Sequence, residues 1–401
     1  MVHQPVAILR VSASSSTSID CSLRVVLPGA AAERQRSVDG LCEAAQSLPC
    51  AALYPELTAR LGEILARWKA KFAPHVWQRF VKVPQVRCCV AYLACLCTHD
   101  SVASFGLFWQ TAAFGVARVL KEFNESTPVL TELLKHIHAA EKPVTVIDLC
   151  SGYGFLSMFL AELAPSDMIH EIVLVDDAWP NASANASGDL SNEHILQRGA
   201  WPVRLYTLKT NVKNSNDLRG LARHIIGDSD HPTLIAGIHL CGTLALRAVQ
   251  LFNDCATLGA TSLCLVPCCL PPPLSQKESR PRRGGGKRYW RRKYQVGGRS
   301  FDARTIETDP GGDDGGSAAA RRFALFANAC YECVDTPPGQ KRCEAIRIHR
   351  TREGNHAQYT QDWHVFATRP QSRDRGRTRE EWEAAITRVG GPVCEDGWAS
   401  E

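Results

Sequence analysis

The sequence predicts an α/β fold: a mostly parallel sheet with helices on both faces, preceded by an N-terminal helical extension. Two observations predict it. Before Glu141 the apolar residues recur at helical spacing, and after Pro143 short β-rich runs alternate with helical stretches. Alternation of that kind builds right-handed β-α-β units, because a right-twisted strand followed by a helix packs back onto its sheet in only one hand.

Residues 1–50 open with a Ser-rich, acid-poor stretch containing Arg10 and Arg24, which reads either as a disordered tail or as an organellar import signal. Residues 51–141 form the helical region. From Glu56 to Phe72 the residues Leu57, Leu61, Ile64, Leu65, Trp68 and Phe72 fall on one helical face. Val86 to Leu120 is mainly apolar and suits one or two buried helices, and Thr127 with Pro128 offers an N-cap and first-turn proline for a helix carrying Val129, Leu133, Leu134 and Ile137. The sheet domain, residues 142–370, then supplies buried strands at Val144–Leu149, Glu171–Val175, Val203–Leu208, Leu234–Leu240 and Ser262–Val266. Between them lie helices at Phe155–Leu163, Leu218–Ile226 and Leu244–Phe252. Residues 275–320 form a basic and glycine-rich insertion in which periodicity lapses, with a loop of Asp, Gly and Pro from Asp309 to Ser317. Arg322–Tyr331 reads as a helix, Ala345–His349 and His364–Thr368 as a closing pair of strands, and residues 371–401 as a mixed-charge surface tail.

With 45% hydrophobic and 22% charged residues in 401, most of the chain can bury a core, which excludes a wholly disordered protein. The net charge of +5 is local: Lys277 to Arg299 holds ten Lys or Arg against Glu278 alone, so the rest of the chain is net −4. One segment therefore meets an anionic partner, rather than the protein as a whole. The 17 cysteines lack regular spacing, and several, such as Cys88, Cys89, Cys95 and Cys97, sit in apolar runs, as expected of reduced thiols in a cytoplasmic setting. No apolar run reaches the length of a membrane span, so no membrane partner is expected; Ser101 to Ala117 comes nearest and reads as a buried helix.

The run Val146-Ile147-Asp148-Leu149-Cys150-Ser151-Gly152-Tyr153-Gly154-Phe155 is a strand ending in an acid, a loop with two glycines and the start of a helix. Glycines let backbone turn sharply and approach a ligand closely, and a helix start offers free N–H groups and a positive dipole end. A dinucleotide site shares this plan but asks for a third glycine, where Ser157 stands, and an acid before the loop faces a pyrophosphate badly. The second strand ends in Asp176-Asp177, where an acid takes ribose hydroxyls.

Five stretches carry a resemblance: Lys121-Glu122-Phe123-Asn124-Glu125, Asp148 to Gly154, Leu174-Val175-Asp176-Asp177-Ala178-Trp179-Pro180, His239-Leu240-Cys241-Gly242-Thr243-Leu244, and Pro267-Cys268-Cys269-Leu270-Pro271. Together they resemble class I, Rossmann-like methyltransferases that use S-adenosyl-L-methionine. The group they resemble includes the methyltransferase domain of the glutathione S-transferase C-terminal-domain-containing proteins, with a more distant similarity to tRNA 2'-O-methyltransferases that share a His-Leu-Cys-Gly stretch. The resemblance spans Val119 to Pro272 and Arg321 to Arg369. It implies a cofactor site of Asn124, Glu125, Asp148, Cys150, Ser151, Gly152, Gly154, Phe155, Asp176, Asp177, Trp179, Asn211, His239 and Leu240. Asn211 departs from the Asp that many such enzymes place against adenine, though an amide oxygen also accepts that hydrogen bond.

Methyl transfer needs an aligned nucleophile and, for a hydroxyl, a base. His239 and Cys241, at the end of the fourth sheet strand, are the catalytic candidates. His239 either takes a substrate proton or only hydrogen-bonds cofactor or backbone. Cys150, Cys241, Cys268 and Cys269 follow the first, fourth and fifth strands and converge if the strand order is the usual one; buried cysteines are ordinarily small hydrophobes, and no metal is expected. Cys330 and Cys333 form a lone CxxC with no second pair.

Lys287-Arg288-Tyr289-Trp290-Arg291-Arg292-Lys293 interleaves cations with aromatics. Cations hold phosphates and aromatic faces stack on unpaired bases, so the segment 277–299 suits RNA, with tRNA as the particular case, and DNA is not expected. A solvated loop is the competing reading. Protein methylation, or cofactor binding without catalysis, are the alternative functions. The sequence sets no oligomeric state.

Overall fold

The computed structural model describes residues 6–13, 19–26, 37–82, 86–87, 117–180, 191–197, 199–269, 288–296, 298–302, 318–346, 363–370, 378–391 and 394–400. Two compact units emerge, residues 1–127 with 347–359, and residues 128–346 with 360–401.

In the first unit, strands β1 (Val6–Ala13), β2 (Ile19–Val26) and β3 (Val86–Arg87) pair antiparallel in that order. Helices α1 (Val38–Ala45), α2 (Pro49–Leu53), α3 (Pro55–Lys71) and α4 (Pro74–Val81) follow the sequence pattern. Three of them begin with a proline, which lacks only an N–H that has no helical partner there. The predicted face of α3 is the buried one, and Trp68 meets Phe80 edge-on at 5.8 Å. The predicted helices inside 88–116, with the cysteines Cys88 to Cys97, lie outside the described residues.

Helix α5 runs from Arg118 to Ala139, which corrects the expected start at Thr127. Pro128 is inside the helix, and Thr127 does not cap it: its hydroxyl donates to the Phe123 carbonyl at 2.6 Å, one turn back.

In the second unit the strands are β4 (Val144–Leu149), β5 (Ile169–Asp176), β6 (Leu205–Lys209), β7 (Thr233–Cys241), β8 (Ala260–Cys269), β11 (Lys341–Ala345) and β12 (Trp363–Thr368). They make one sheet in the order β11-β12-β8-β7-β4-β5-β6, parallel from β8 to β6 and antiparallel at β12 and β11. The closing strand is Lys341–Ala345, four residues earlier than expected. The β-branched residues Ile346 and Ile348 drew the reading forward, whereas the edge strand that forms is polar.

Helices α6 (Phe155–Leu163), α7 (Glu193–Leu196), α8 (Ser215–Leu221), α9 (Thr243–Asp254), α10 (Ala318–Cys333) and α11 (Arg379–Arg388) complete the unit, with a π-helical turn at Ala222–Gly227 after α8. Side chains alternate across a strand. Ile147, Leu149, Val173, Val175 and Ile235 share a core with α8, α9, α10 and α11, while Val146, Ile172 and Leu174 are buried on the opposite face.

The basic run, expected to lack periodicity, is a strand. Residues Arg288–Val296 form β9, the centre of a three-stranded antiparallel sheet between β10 (Arg299–Asp302) and β13 (Cys394–Ser400). Tyr294 and Val296 at its end are buried in the main core, which fixes that end to the parallel sheet. The Asp309–Ser317 loop lies outside the described residues.

Candidate functional site

A parallel strand order that reverses direction of growth leaves a crevice beyond the strand ends, and here β4 is the reversal point between β5 and β7. Four of the predicted segments end at this edge.

Asp148 occupies the penultimate position of β4 and is buried. The Ser157 hydroxyl, one turn into α6, donates to its Oδ2 at 2.7 Å. Burial pushes the Asp148 carboxyl up to about 7; Ser157 opposes this, Asp176 adds to it and His239 lowers it slightly. Three predicted residues, Asp148, Asp176 and His239, thus lie within each other's fields at Asp148.

The loop that follows has an unusual backbone. Cys150, Gly152 and Gly154 take φ of 56°, 54° and 81°. A Cβ on Gly152 would meet no atom within 4 Å, so the backbone there faces open space, as close approach of a ligand requires. A Cβ on Gly154 would overlap Leu174 of β5. The loop is also tied to the second strand end: Gly152 N–H donates to Asp176 Oδ2 at 3.0 Å, Ala178 N–H to Asp176 Oδ1 at 2.9 Å, and Trp179 Nε1–H to Ser151 Oγ at 3.1 Å. Each Asp176 oxygen keeps a second lone pair for a ligand hydroxyl. Asp177 is exposed, and Lys209 Nζ holds its carbonyl at 2.7 Å and that of Trp179 at 3.0 Å. Phe155 turns inward, buried and stacked on Phe159 at 6.3 Å.

At the end of β7 the ladder with β8 shifts between Gly237 and Leu240, and His239 sits at φ 64°, a conformation that costs a non-glycine residue about 1–3 kcal/mol. Leu240 packs so closely over Gly237 that a Cβ there would fall 2.6 Å from Leu240 Cδ1. Half-buried His239 and exposed Cys241 are thereby presented at the strand end. Cys150 and Cys241 are neighbours. Burial raises the Cys150 thiol to about 12, with Asp176, Asp148, Asp177 and Cys241 adding to it, so it carries its proton at neutral pH. Strands β4, β7 and β8 are adjacent as expected, and Cys241 is in register with Cys269.

Asn211, Asn124 and Glu125 have hydrogen-bond or ionic partners of their own. Asn211 is exposed after β6, and its Oδ1 accepts from the Lys213 N–H at 3.0 Å, which leaves that oxygen a second lone pair. Asn124 and Glu125 belong to the first unit, where Asn124 Oδ1 accepts from the Cys50 N–H at 3.1 Å and Glu125 pairs with Lys121. Lys287 lies outside the described residues, and Arg288 to Lys293 form β9. Sequence reasoning missed Ser157 as a partner of Asp148, Lys209, and His194, whose Nε2 is 2.9 Å from the Tyr153 carbonyl. Ser157 had a signal, since it fills the place of a dinucleotide site's third glycine. Lys209 and His194 had none.

A buried acid before a two-glycine loop, open space at Gly152 and an acid on the next strand fit an amino-acid-bearing nucleoside. Together with the sheet order they have the layout of Rossmann-like methyltransferase domains, which use S-adenosyl-L-methionine. Residues 118–271 match the family model described as a methyltransferase domain. No curated protein matches the chain significantly. Solved structures that align include a cyclopropane-fatty-acyl-phospholipid synthase-like protein from Lactobacillus casei, at 17% identity over 36% of this chain and 49% of that one, TM-score 0.24. An O-methyltransferase family protein from Burkholderia thailandensis aligns at 12% identity over 86% and 95%, TM-score 0.30. A 16S rRNA methyltransferase in complex with S-adenosyl-L-homocysteine aligns at 10% over 83% and 98%, TM-score 0.26. The chain spans about half the length of the first of these. The fold assignment rests on the sheet itself.

Proposed function

We propose that this chain methylates RNA, tRNA being the particular case, with S-adenosyl-L-methionine as donor. The observation that carries the reading is the basic run: its backbone is a strand whose end, Tyr294 and Val296, is buried in the core of the methyltransferase domain. A polyanion held along β9 is thereby tethered to the unit that holds the cofactor site. Asp148 takes the cofactor ammonium, the turn at Gly152 admits its backbone-close approach, and Asp176 takes ribose hydroxyls. When bound, the cofactor supplies a methyl group on a sulfonium. His239, presented at the end of β7, accepts the proton from an acceptor hydroxyl, and Cys241 lines the same edge. Nine of the described cysteines are free thiols, in keeping with the reducing setting expected from the sequence. No helix among the described residues is long and apolar enough to cross a membrane.

The test is a labelled-methyl transfer assay on fractionated RNA and protein, beside calorimetry with S-adenosyl-L-methionine and its demethylated product. Label in RNA, with an affinity that falls steeply as salt rises, supports the reading. Label in protein alone overturns the substrate, and tight cofactor binding with no transfer overturns the enzyme.

A further inference from the structure

The segment 394–400 was expected to be surface tail, yet β13 pairs with the basic run along nearly its whole length. The register sets Cys394 opposite Tyr294, Glu395 opposite Lys293, Asp396 opposite Arg292, Gly397 opposite Arg291, Trp398 opposite Trp290 and Ser400 opposite Arg288. Acids stand across from cations, and tryptophan from tryptophan. Opposite charges and paired aromatics are the combinations that favour one register of an antiparallel pair over a shifted one.

The segment leading into β13 is itself held. Helix α11 starts with a capping box at Thr378 and Glu381. Its Glu383 takes both terminal nitrogens of Arg223, at 3.3 and 3.0 Å, and Arg223 lies 4.8 Å from the centre of the Trp382 ring. Trp382 fits against Gly227, where a Cβ would come within 2.7 Å of its Nε1. Beyond the helix, Arg219 holds the Val389 carbonyl, and Arg247 and Gln250 hold that of Gly391. Gly390, at φ 79°, approaches the Ser215 backbone so closely that a Cβ would meet it at 2.9 Å. On the other flank Arg299 of β10 pairs with Glu332 of α10 at 2.6 Å. The small sheet is therefore fastened to α8, α9 and α10 on both sides of β9.

We infer that β13 is a working part of the substrate-docking surface: by pairing with residues 288–294 it orders the basic run into a strand that receives single-stranded RNA, while Glu395 and Asp396 temper its charge. The inference rests on the RNA reading for the nature of the partner, and on the register for the mechanism. An unpaired run of the same composition pays the ordering entropy each time it binds, and a paired one has paid it on folding. Charge balance names the kind of partner. The described residues of β9 and β10 hold five cations against Asp302, and the two acids of β13 reduce that excess without cancelling it.

Two variants test it in the full chain: removal of residues 392–401, and Ala399→Pro, which takes one N–H out of β13 with little other change. Trypsin cleavage after Arg288, Arg291, Arg292 and Lys293, followed by mass spectrometry, reads the pairing without any RNA; both variants are expected to speed it about tenfold or more. Affinity for a single-stranded oligoribonucleotide is expected to fall about tenfold in both, while S-adenosyl-L-methionine affinity and the thermal midpoint of the domain hold. The double change Glu395→Gln with Asp396→Asn is expected to raise RNA affinity about threefold at low salt. Unchanged trypsin cleavage in both variants overturns the role of β13 whatever RNA does. Faster cleavage with no RNA binding by the unaltered chain overturns the RNA reading and, with it, the partner inferred here.

Discussion

Replacing Asp148 by Asn separates stability from cofactor binding. The carboxyl is buried and its proton affinity is raised from the ordinary 3.8 to about 7. Between those two pH values the folded protein holds a proton that the unfolded chain has released, so this group's contribution to stability falls as pH rises from 3.8 and reaches its full penalty above 7. Roughly three powers of ten in proton affinity, at about 1.4 kcal/mol each, set an upper bound of about 4 kcal/mol. The amide keeps the shape and loses the charge, but the Ser157 hydroxyl donates less strongly to it, so a net gain of about 1–3 kcal/mol is expected at pH 8. At pH 4, where the native group is protonated in the folded state, the gain should nearly vanish. Melting curves from pH 4 to 8.5 read this directly. Calorimetry should show the opposite sign for S-adenosyl-L-methionine, whose ammonium loses a charged partner, with affinity about 10- to 100-fold weaker. An Asn variant that melts lower than the parent at pH 8, or a gap between the two that does not vary with pH, would refute the reasoning.

Gly154→Ala forces a Cβ onto Leu174 at a backbone φ of 81°; a loss of about 2 kcal/mol in stability and of cofactor binding is expected, read by chemical unfolding and calorimetry. Arg342→Ala strips Glu132 of a two-point partner at 3.1 and 2.8 Å. Burial alone would raise the Glu132 carboxyl, and hydrogen bonds from His136 and Arg342 overcome it and hold the group far below the carboxylate range. A folded value so depressed gives stability that is present above the ordinary pKa and lost toward acid, so the Ala variant should cost about 2 kcal/mol at pH 7 and less at pH 4, and adding Glu132→Gln should restore part of it. Trp382→Ala empties the seat against Gly227 and should speed proteolysis of residues 378–391 while cofactor affinity holds.

How much of this was legible in the sequence depended on whether the signal was local. Strand β4 and helix α6 were read at their bounds because an apolar run ending at Asp148 and a helical pattern stopped by Pro165 carry their own limits. Asp148, Gly152, Gly154 and Asp176 were legible as a site because a sharp turn beside a ligand admits few residue types. The α5 start was misplaced because Pro128 is more often first in a helix than inside one, and nothing local says that Thr127 bonds backward to Phe123. Ser157 was seen only as a missing glycine, since its bond to Asp148 spans a loop whose shape the sequence does not state.

The basic run shows the limit most clearly. Its local composition, cations with aromatics and no alternation, argues for a loop, and in isolation that argument is sound. What makes it a strand lies about a hundred residues away, in a segment whose acids and tryptophan gain meaning only when laid antiparallel against it. A charge-dense strand at a sheet's centre needs a partner that offsets its self-repulsion, and Glu395 and Asp396 fall in register to do so. Reading residues 277–299 as a phosphate-binding segment and residues 371–401 as a surface tail therefore treated as separate two stretches, 288–294 and 394–400, that pair in one sheet. The first stretch carries four of the run's cations, and the second sets Glu395 and Asp396 opposite two of them.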